Sequence, residues 1–183
     1  MDESQAMAAS SLAPDAAGEV SVPQLRKALG RFVTGVTVVT TTDRAGIAAH
    51  GMTANAFTSV SLRPPLVLIS VARTAKLHPL IDRSGRYGVS ILAGDQQALS
   101  LHFAGVADLS HQVELVWRDG LPLVQGALAQ LTCSVRDTHP AGDHLLYVGE
   151  VNGLWHRNGD PLVYYTGAFR ALELLLPDNL WGF

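Results

Sequence analysis

The stretch GMTANAFTSVS, residues 51–61, lies inside an eighteen-residue run from Ala45 to Leu62 that holds no Asp, Glu, Lys or Arg. Chain so free of charge is expected to be buried. Yet Thr53, Asn55, Thr58, Ser59 and Ser61 carry polar atoms whose desolvation costs free energy unless each finds a partner. The pattern reads as the return strand of a hairpin and its exit. Its outgoing strand is Gly35 to Thr41, rich in Val and Thr, and Asp43-Arg44-Ala45-Gly46 supplies the turn between them. On a two-residue period Thr53, Asn55 and Ser59 would share one strand face, with Gly51 admitting a close neighbour. Such a face suits a flat, polar-edged heterocycle. It is equally compatible with hydroxyls and amides that satisfy nearby backbone in a twisted turn.

Working outward, Val22 to Phe32 places Leu25, Leu29 and Phe32 at helical spacing, with Ser21 as N-cap and Pro23 in the first turn. Downstream, Pro64-Pro65 punctuates the chain, and Leu66 to Val71 is a continuous apolar run of strand length, expected to be a central strand. Lys76 to Ile81 has room for a helical turn or two, Tyr87 to Leu92 reads as a strand, and Asp95 to Phe103 as a helix whose first turn holds the acid. Further strands are expected at Ala129–Arg136, Leu145–Trp155, Leu162–Tyr165 and Phe169–Leu174, with Pro122 and the glycine-containing stretches as loops. Six or seven strands that do not alternate regularly with helices argue against a doubly wound parallel sheet. They predict a mainly β fold, an antiparallel barrel with a few short peripheral helices. A small barrel fills its interior with side chains, so a ligand would lie on an outer face, at a mouth or at a subunit seam.

Composition narrows the function. The 183 residues are 48% apolar and 16% charged, which suits one soluble domain with a sizeable core. No apolar run approaches the roughly 18–20 residues of a membrane helix. Residues 1–20 contain acids, no basic start and no apolar block, so they are expected to be a flexible tail and not a secretory signal, with the domain proper at 21–176 and a short tail at 177–183. The single cysteine, Cys133, excludes an intrachain disulfide and any multi-cysteine zinc site; it is expected to be a core residue on a strand of a cytoplasmic protein. A net charge of −3 offers no basic field for nucleic acid. Glycine-rich nucleotide loops, the Walker loop, G-x-S-x-G and H-E-x-x-H are all absent, and the seven histidines show no metal-ligand spacing, so no metal is expected.

Two other segments carry chemistry. Ser70 to Lys76 (SVARTAK) ends a strand with two cations, hydroxyls and free backbone amides. It could cradle an anion through the Arg73 fork, the Thr74 hydroxyl and the Lys76 charge, or it could be a solvated loop before a helix. In Ala141 to Val151 (AGDHLLYVGEV), Gly142 and Asp143 form a turn that delivers His144 to a strand start, where its imidazole could meet a ring ligand. Asp143 serves as well as a simple turn former.

In this order and spacing the segments resemble the flavin reductase family with the FMN-binding split-barrel fold, the small NAD(P)H-dependent partners of two-component flavin monooxygenases. The resemblance runs from about Leu25 to Leu174. It is carried by GRFVTGVTVVT from Gly30, by GMTANAFTSVS with the prolines after it, by ARTAK, RYGVSIL and LSLHFAG, by AGDHLLYVGEV and by PLVYYTGAFRAL. It implies that Met52, Thr53, Ala54 and Asn55, with Ser59 on the same stretch, line an isoalloxazine ring. It further implies that Ala72, Arg73, Thr74 and Lys76 hold the flavin phosphate and that Phe103 and Ala104 close on the ring from a helix end. His144, within Gly142-Asp143-His144, would be the catalytic residue beside the nicotinamide, with Tyr165 a second candidate for that pocket. FMN or FAD would be reduced by NADH or NADPH, and the reduced flavin would diffuse to a monooxygenase from a homodimer. His78, the VADLSHQVELVW insert and Pro177–Phe183 fall outside these motifs. Two alternatives remain: a split-barrel flavin binder without reductase turnover, or one recruited to a small organic substrate. A haem-binding split barrel is disfavoured, because no histidine is placed as an axial ligand.

Overall fold

In the computed structural model the described residues are 20–43, 45–108 and 113–172. They form three helices and twelve strands, and every strand pair is antiparallel. The expected tails at 1–20 and 177–183 lie outside this range, apart from Val20.

Helix α1 spans Val22–Leu29; Ser21 caps it by accepting from the Gln24 N–H at 3.4 Å, and Gly30 ends it. Phe32 therefore stands beyond the helix. β1 (Thr34–Gly35) leads into β2 (Thr37–Thr42). The uncharged stretch then divides into two strands, β3 (Ala49–Ala54) and β4 (Phe57–Leu62), joined only by Asn55 and Ala56. Thr53, Asn55 and Ser59 consequently do not share a strand face, contrary to the expected period. Alternation runs from Met52 to Ala56 and breaks at Ala56-Phe57, where the chain changes sheet edge.

That break determines the architecture. With β5 (Pro65–Ala72), β6 (Arg86–Ile91), β9 (Ala129–Ala141) and β10 (His144–His156), these strands make a seven-stranded sheet of order β3-β2-β6-β9-β10-β5-β4. β3 and β4 are its opposite edges. The three steps from Ala54 to Phe57 reach only about 10 Å at roughly 3.3–3.6 Å each, so the edges meet only if the sheet curls into a barrel. The inward faces supply one buried cluster, with Val39, Val67, Ile69, Val71, Tyr87, Val89, Cys133, Leu145 and Tyr147 among its members. Cys133 is thus a core residue on a strand, and burial pushes its thiol up to about 12.

Helix α2 (His78–Ser84) contributes Ile81 to this cluster, joined by Leu77 just before it, and ends at Gly85, whose φ of 64° supplies the left-handed C-cap. A second cluster, Val36, Val38, Leu92, Val124, Ala127 and Leu162, lies on the outside of the barrel wall. It is covered by α3 (Gln97–Phe103), which follows a single 3-10 turn at Gly94–Gln96, and by the small sheet of β1, β11 (Val163–Tyr165) and β12 (Ala168–Arg170).

Pro122, expected in a loop, sits in β8 (Leu121–Val124), paired with β7 (Leu115–Arg118) in a two-stranded ribbon. An edge strand needs no ladder donor from proline, and the Pro122 carbonyl accepts from the Thr40 hydroxyl, which fastens the ribbon to the barrel. β7 begins inside the otherwise unassigned insert.

At Gly149 on β10, a Cβ atom would collide with the hydroxyl and ring of Tyr87, which fills the barrel centre at 0% exposure. Gly149→Ala is expected to lower unfolding free energy by about 1–3 kcal/mol, the usual cost of overpacking, read as a lower denaturant midpoint at unchanged slope. An unchanged midpoint would show that the Tyr87 ring has room to withdraw.

Candidate functional site

Strand pairing brings the sequence candidates to one rim of the barrel. β5 and β10 pair so that Ala72 faces His144. On the other side of β5, the Ser70 N–H donates to the Ala56 carbonyl at 3.1 Å, which lays the β3–β4 link beside the same strand end. The two-residue turn Gly142–Asp143 connects β9 to β10, with Gly142 at φ 59° in the first central position, where a side chain would be strained. From that turn the Asp143 carbonyl accepts the Arg73 N–H at 3.0 Å, and the Gly142 carbonyl accepts Arg73 Nε at 3.2 Å. Three separate segments, 54–56, 72–76 and 142–144, therefore share one end of the fold.

Their side chains have different freedom. Arg73 uses Nε internally and leaves its two terminal nitrogens for a ligand. No hydrogen bond or ion pair among the described residues engages the Thr74 hydroxyl or the Lys76 ammonium, and both residues are exposed. Two cations and a hydroxyl on a four-residue turn, without a local carboxylate partner, form an anion cradle. His144 is half-buried, and its Nδ1 lies 2.7 Å from Oδ1 of the exposed Asp143. The carboxylate accepts from Nδ1–H, which fixes the ring and leaves Nε2 as the acceptor nitrogen. The hydrogen bond from His144, helped by its charge, holds the Asp143 carboxyl below its ordinary value.

The β3 residues divide by face. Ala54 is buried in the barrel interior and Met52 packs against the same cluster, so only their main chain is available to a ligand. Thr53 points outward, and its hydroxyl donates to the Ser100 carbonyl of α3 at 2.6 Å; its proton is spent on the protein and its oxygen remains an acceptor. Thr37 donates to the Ala54 carbonyl at 2.7 Å. Asn55 and Ala56 leave the ladder, and no hydrogen bond among the described residues engages the Asn55 N–H or side-chain amide. Ser59 lies further along β4, exposed and away from Thr53.

A cleft of about 330 Å³ opens between Thr53–Asn55 and α3, lined also by Ala104, Tyr164 and Phe169. A broader groove of about 660 Å³ runs on the other side of Asn55, past Thr34, Phe57 and Phe32. The Thr34 hydroxyl is buried there and has no partner among the described residues. Ala104 lines the first cleft. Phe103 instead packs back on the outer cluster and on Gly51, where a Cβ atom would lie 2.7 Å from its ring; the close neighbour that glycine admits is thus Phe103 itself.

Tyr164, stacked edge-on against Phe169 with centroids 5.5 Å apart, lines the cleft, whereas Tyr165, the sequence candidate, alternates to the other face of β11. Sequence reasoning missed Ser100, Tyr164 and Phe169. The Tyr-Tyr pair carried the signal, and only strand register could choose between its members. Among the described residues no three His, Cys, Asp or Glu side chains gather as metal ligands, and no helix is long and apolar enough to cross a membrane.

Residues 29–173 match the family described as flavin reductase like domain. An NADH-dependent flavin reductase from a Rhodococcus species is 58% identical over 166 residues, covering 90% of this chain and 94% of that protein. Among solved structures, the flavin reductase PheA2 superposes with a TM-score of 0.81 at 44% identity, over 84% of this chain and 99% of the other. The Streptomyces globisporus NADH:FAD oxidoreductase SgcE6, in complex with NAD and FAD fragments, gives a TM-score of 0.79 at 37% identity, covering 87% and 100%.

The Asp143–His144 pair has a definite acid signature. Because the folded-state pKa of Asp143 is depressed, its bond to His144 is intact above the ordinary carboxylate range near ~4 and is lost as pH falls through the lower folded value. A carboxyl NMR titration is expected to place Asp143 below that range, and His144→Ala is expected to return it. A titration identical in both proteins would mean that the two side chains do not pair in solution.

Proposed function

The chain belongs to the flavin reductase like domain family, and from that premise we propose that it is an NAD(P)H-dependent flavin reductase that supplies reduced FMN or FAD to a partner monooxygenase. The observation that carries this reading is the bond between the Arg73 N–H and the Asp143 carbonyl, which sets an anion cradle beside a ring-binding histidine. The residues present fit a flavin: a cationic turn for its phosphate, Asn55 donors that no described residue engages for a polar ring edge, and an apolar cleft next to them. When bound, flavin supplies a ring that takes up a hydride, so that NAD(P)H, a proton and oxidised flavin become NAD(P)+ and reduced flavin.

In this reading Arg73, Thr74 and Lys76, at the end of Ala72, hold the phosphate. The main chain of Met52 to Asn55 lines the ring edge and contributes fixed dipoles where negative charge develops. Thr53 tethers α3 to β3, and Ala104 closes the cleft from the helix end. His144, its Nδ1 held by Asp143 on the Gly142 turn, binds and orients the nicotinamide. A hydride moves with its electron pair, so no side chain at the rim has to act as a strong base; the protein's work is alignment and exclusion of water.

A homodimer belongs to the same proposal. It is supported by α1, which has no buried residue and leaves Val22, Leu25 and Leu29 exposed near Phe32, and by Leu62, 88% exposed on the edge strand β4. A cytoplasmic location goes with it, because the nicotinamide donors are metabolites of the cell interior.

Purified protein is expected to accelerate NADH oxidation when FMN or FAD is added. Bound yellow flavin without NADH consumption would favour the non-turnover binder instead. His144→Ala is expected to raise KM for NADH about tenfold while the flavin KM moves far less, as for loss of one hydrogen bond to a ligand. Arg73→Ala combined with Lys76→Ala is expected to weaken FMN at least tenfold relative to riboflavin, which lacks the phosphate. Equal losses for both flavins would contradict the phosphate role.

A further inference from the structure

We propose that His78, acting through Tyr147 and Asp82, is the positioning residue that fixes the cationic turn Arg73–Lys76 and thereby sets how tightly the phosphate end of a flavin is held; this rests on the reading of that turn as the phosphate site. The turn leaves β5 at Ala72 and re-enters regular structure at His78. Within it the Ala75 N–H donates to the Ala72 carbonyl at 2.9 Å, and the His78 N–H donates to the Ala75 carbonyl at 3.1 Å. Its leading end is pinned to the β9–β10 turn by Arg73. Its trailing end is held by apolar contact, with Leu77 in the barrel cluster and Ala75 packed beside it, and by the directional bonds of His78.

His78 is fixed by a three-membered network. Its Nδ1 lies 2.7 Å from the Tyr147 hydroxyl, and that hydroxyl donates to Asp82 Oδ1 at 2.6 Å. Asp82 Oδ2 lies 3.4 Å from the same Nδ1, one helical turn along α2. A phenol has one proton, here given to the carboxylate, so the imidazole N–H is the donor into the phenolic oxygen. Burial, reinforced by the bond to Asp82, pushes the Tyr147 hydroxyl well above its ordinary range and keeps it a donor. Its ring is wholly enclosed in the barrel cluster, so the anchor cannot drift.

The location of the anchor gives the network its significance. Tyr147 lies on β10, the strand that His144 begins and that Asp143 precedes. Both ends of the cationic turn are thus tied to one strand, at Asp143 and at Tyr147, four residues or roughly 13 Å apart. Leu77 and Ile81 bury α2 against the barrel, but apolar contact has no direction, and the hydrogen bonds decide how the helix is rotated and where the turn before it points. Neither His78 nor Asp82 touches the rim. Their effect reaches it through the backbone of Ala75.

The test is the dissociation constant of FMN and of riboflavin, by quenching of flavin fluorescence, for the 183-residue chain and three variants of it. His78→Ala and Tyr147→Phe are expected to raise the FMN constant about tenfold relative to riboflavin, the scale of one lost hydrogen bond to an anchor. His78→Asn, whose amide nitrogen takes the place of Nδ1, is expected to restore most of the ratio. A general loosening of the fold weakens both flavins alike, so an unchanged ratio in His78→Ala and Tyr147→Phe overturns the inference. The Arg73→Ala, Lys76→Ala double variant run alongside separates the two layers. If it leaves the ratio unchanged, the phosphate reading fails and the positioning role falls with it; if it shifts the ratio and the His78 and Tyr147 variants do not, only the positioning role is wrong.

Discussion

Asn55 and Ala56 have to join strands that lie at opposite edges of one seven-stranded sheet, and a chain that short can do so only when the sheet has curled until its edges nearly touch. Closure of the barrel and placement of the rim are therefore a single event. Curling turns Ala54, Tyr87, Cys133 and Tyr147 inward to make the core, and it carries the unpaired amides at the link to the place where β5 ends and β10 begins. The two linking residues are too few to pair with a neighbour throughout. Asn55 is left with donors that no described residue uses, which in a polar rim is an invitation to a ligand and not a defect.

The strands around that link show why the rim is rigid. β10 is paired on both sides along most of its thirteen residues, with β9 and with β5, so the turn at Gly142–Asp143 projects from the best-supported part of the barrel. A binding turn hung from such a strand inherits its precision. The cationic turn has no ladder of its own. It borrows order from β10, at one end through a main-chain bond to Asp143 and at the other through the phenol of Tyr147.

Much of this was legible in the residues, and the illegible parts have physical reasons. The Val/Thr run of β2, the apolar run of β5 and the glycine turn before His144 announced themselves, because local pattern and tertiary role agree there. The division of residues 49–62 into two strands did not. Alternation ran through Asn55 and slipped only at Ala56-Phe57, a local irregularity that a bulge would also give, and the pairing partners, Val38 opposite Thr53 and Leu68 opposite Thr58, reveal that the chain has changed edge. Pro122 misled for a related reason: proline excludes a central strand, yet an edge ribbon accepts it. The side-chain roles of Met52 and Phe103 were out of reach for sequence, since each turns toward a core that exists only after closure.

Enclosing Cys133 has a consequence for chemical endurance. Reduced flavin that escapes its acceptor reacts with dioxygen and yields hydrogen peroxide, so on the proposed function this protein works amid its own oxidant. Peroxide attacks sulfur through the thiolate, and this thiol, sealed at 0% exposure with its proton held until about pH 12, offers almost none at neutral pH. The barrel that presents the rim also shelters the one sulfhydryl that could otherwise be oxidised.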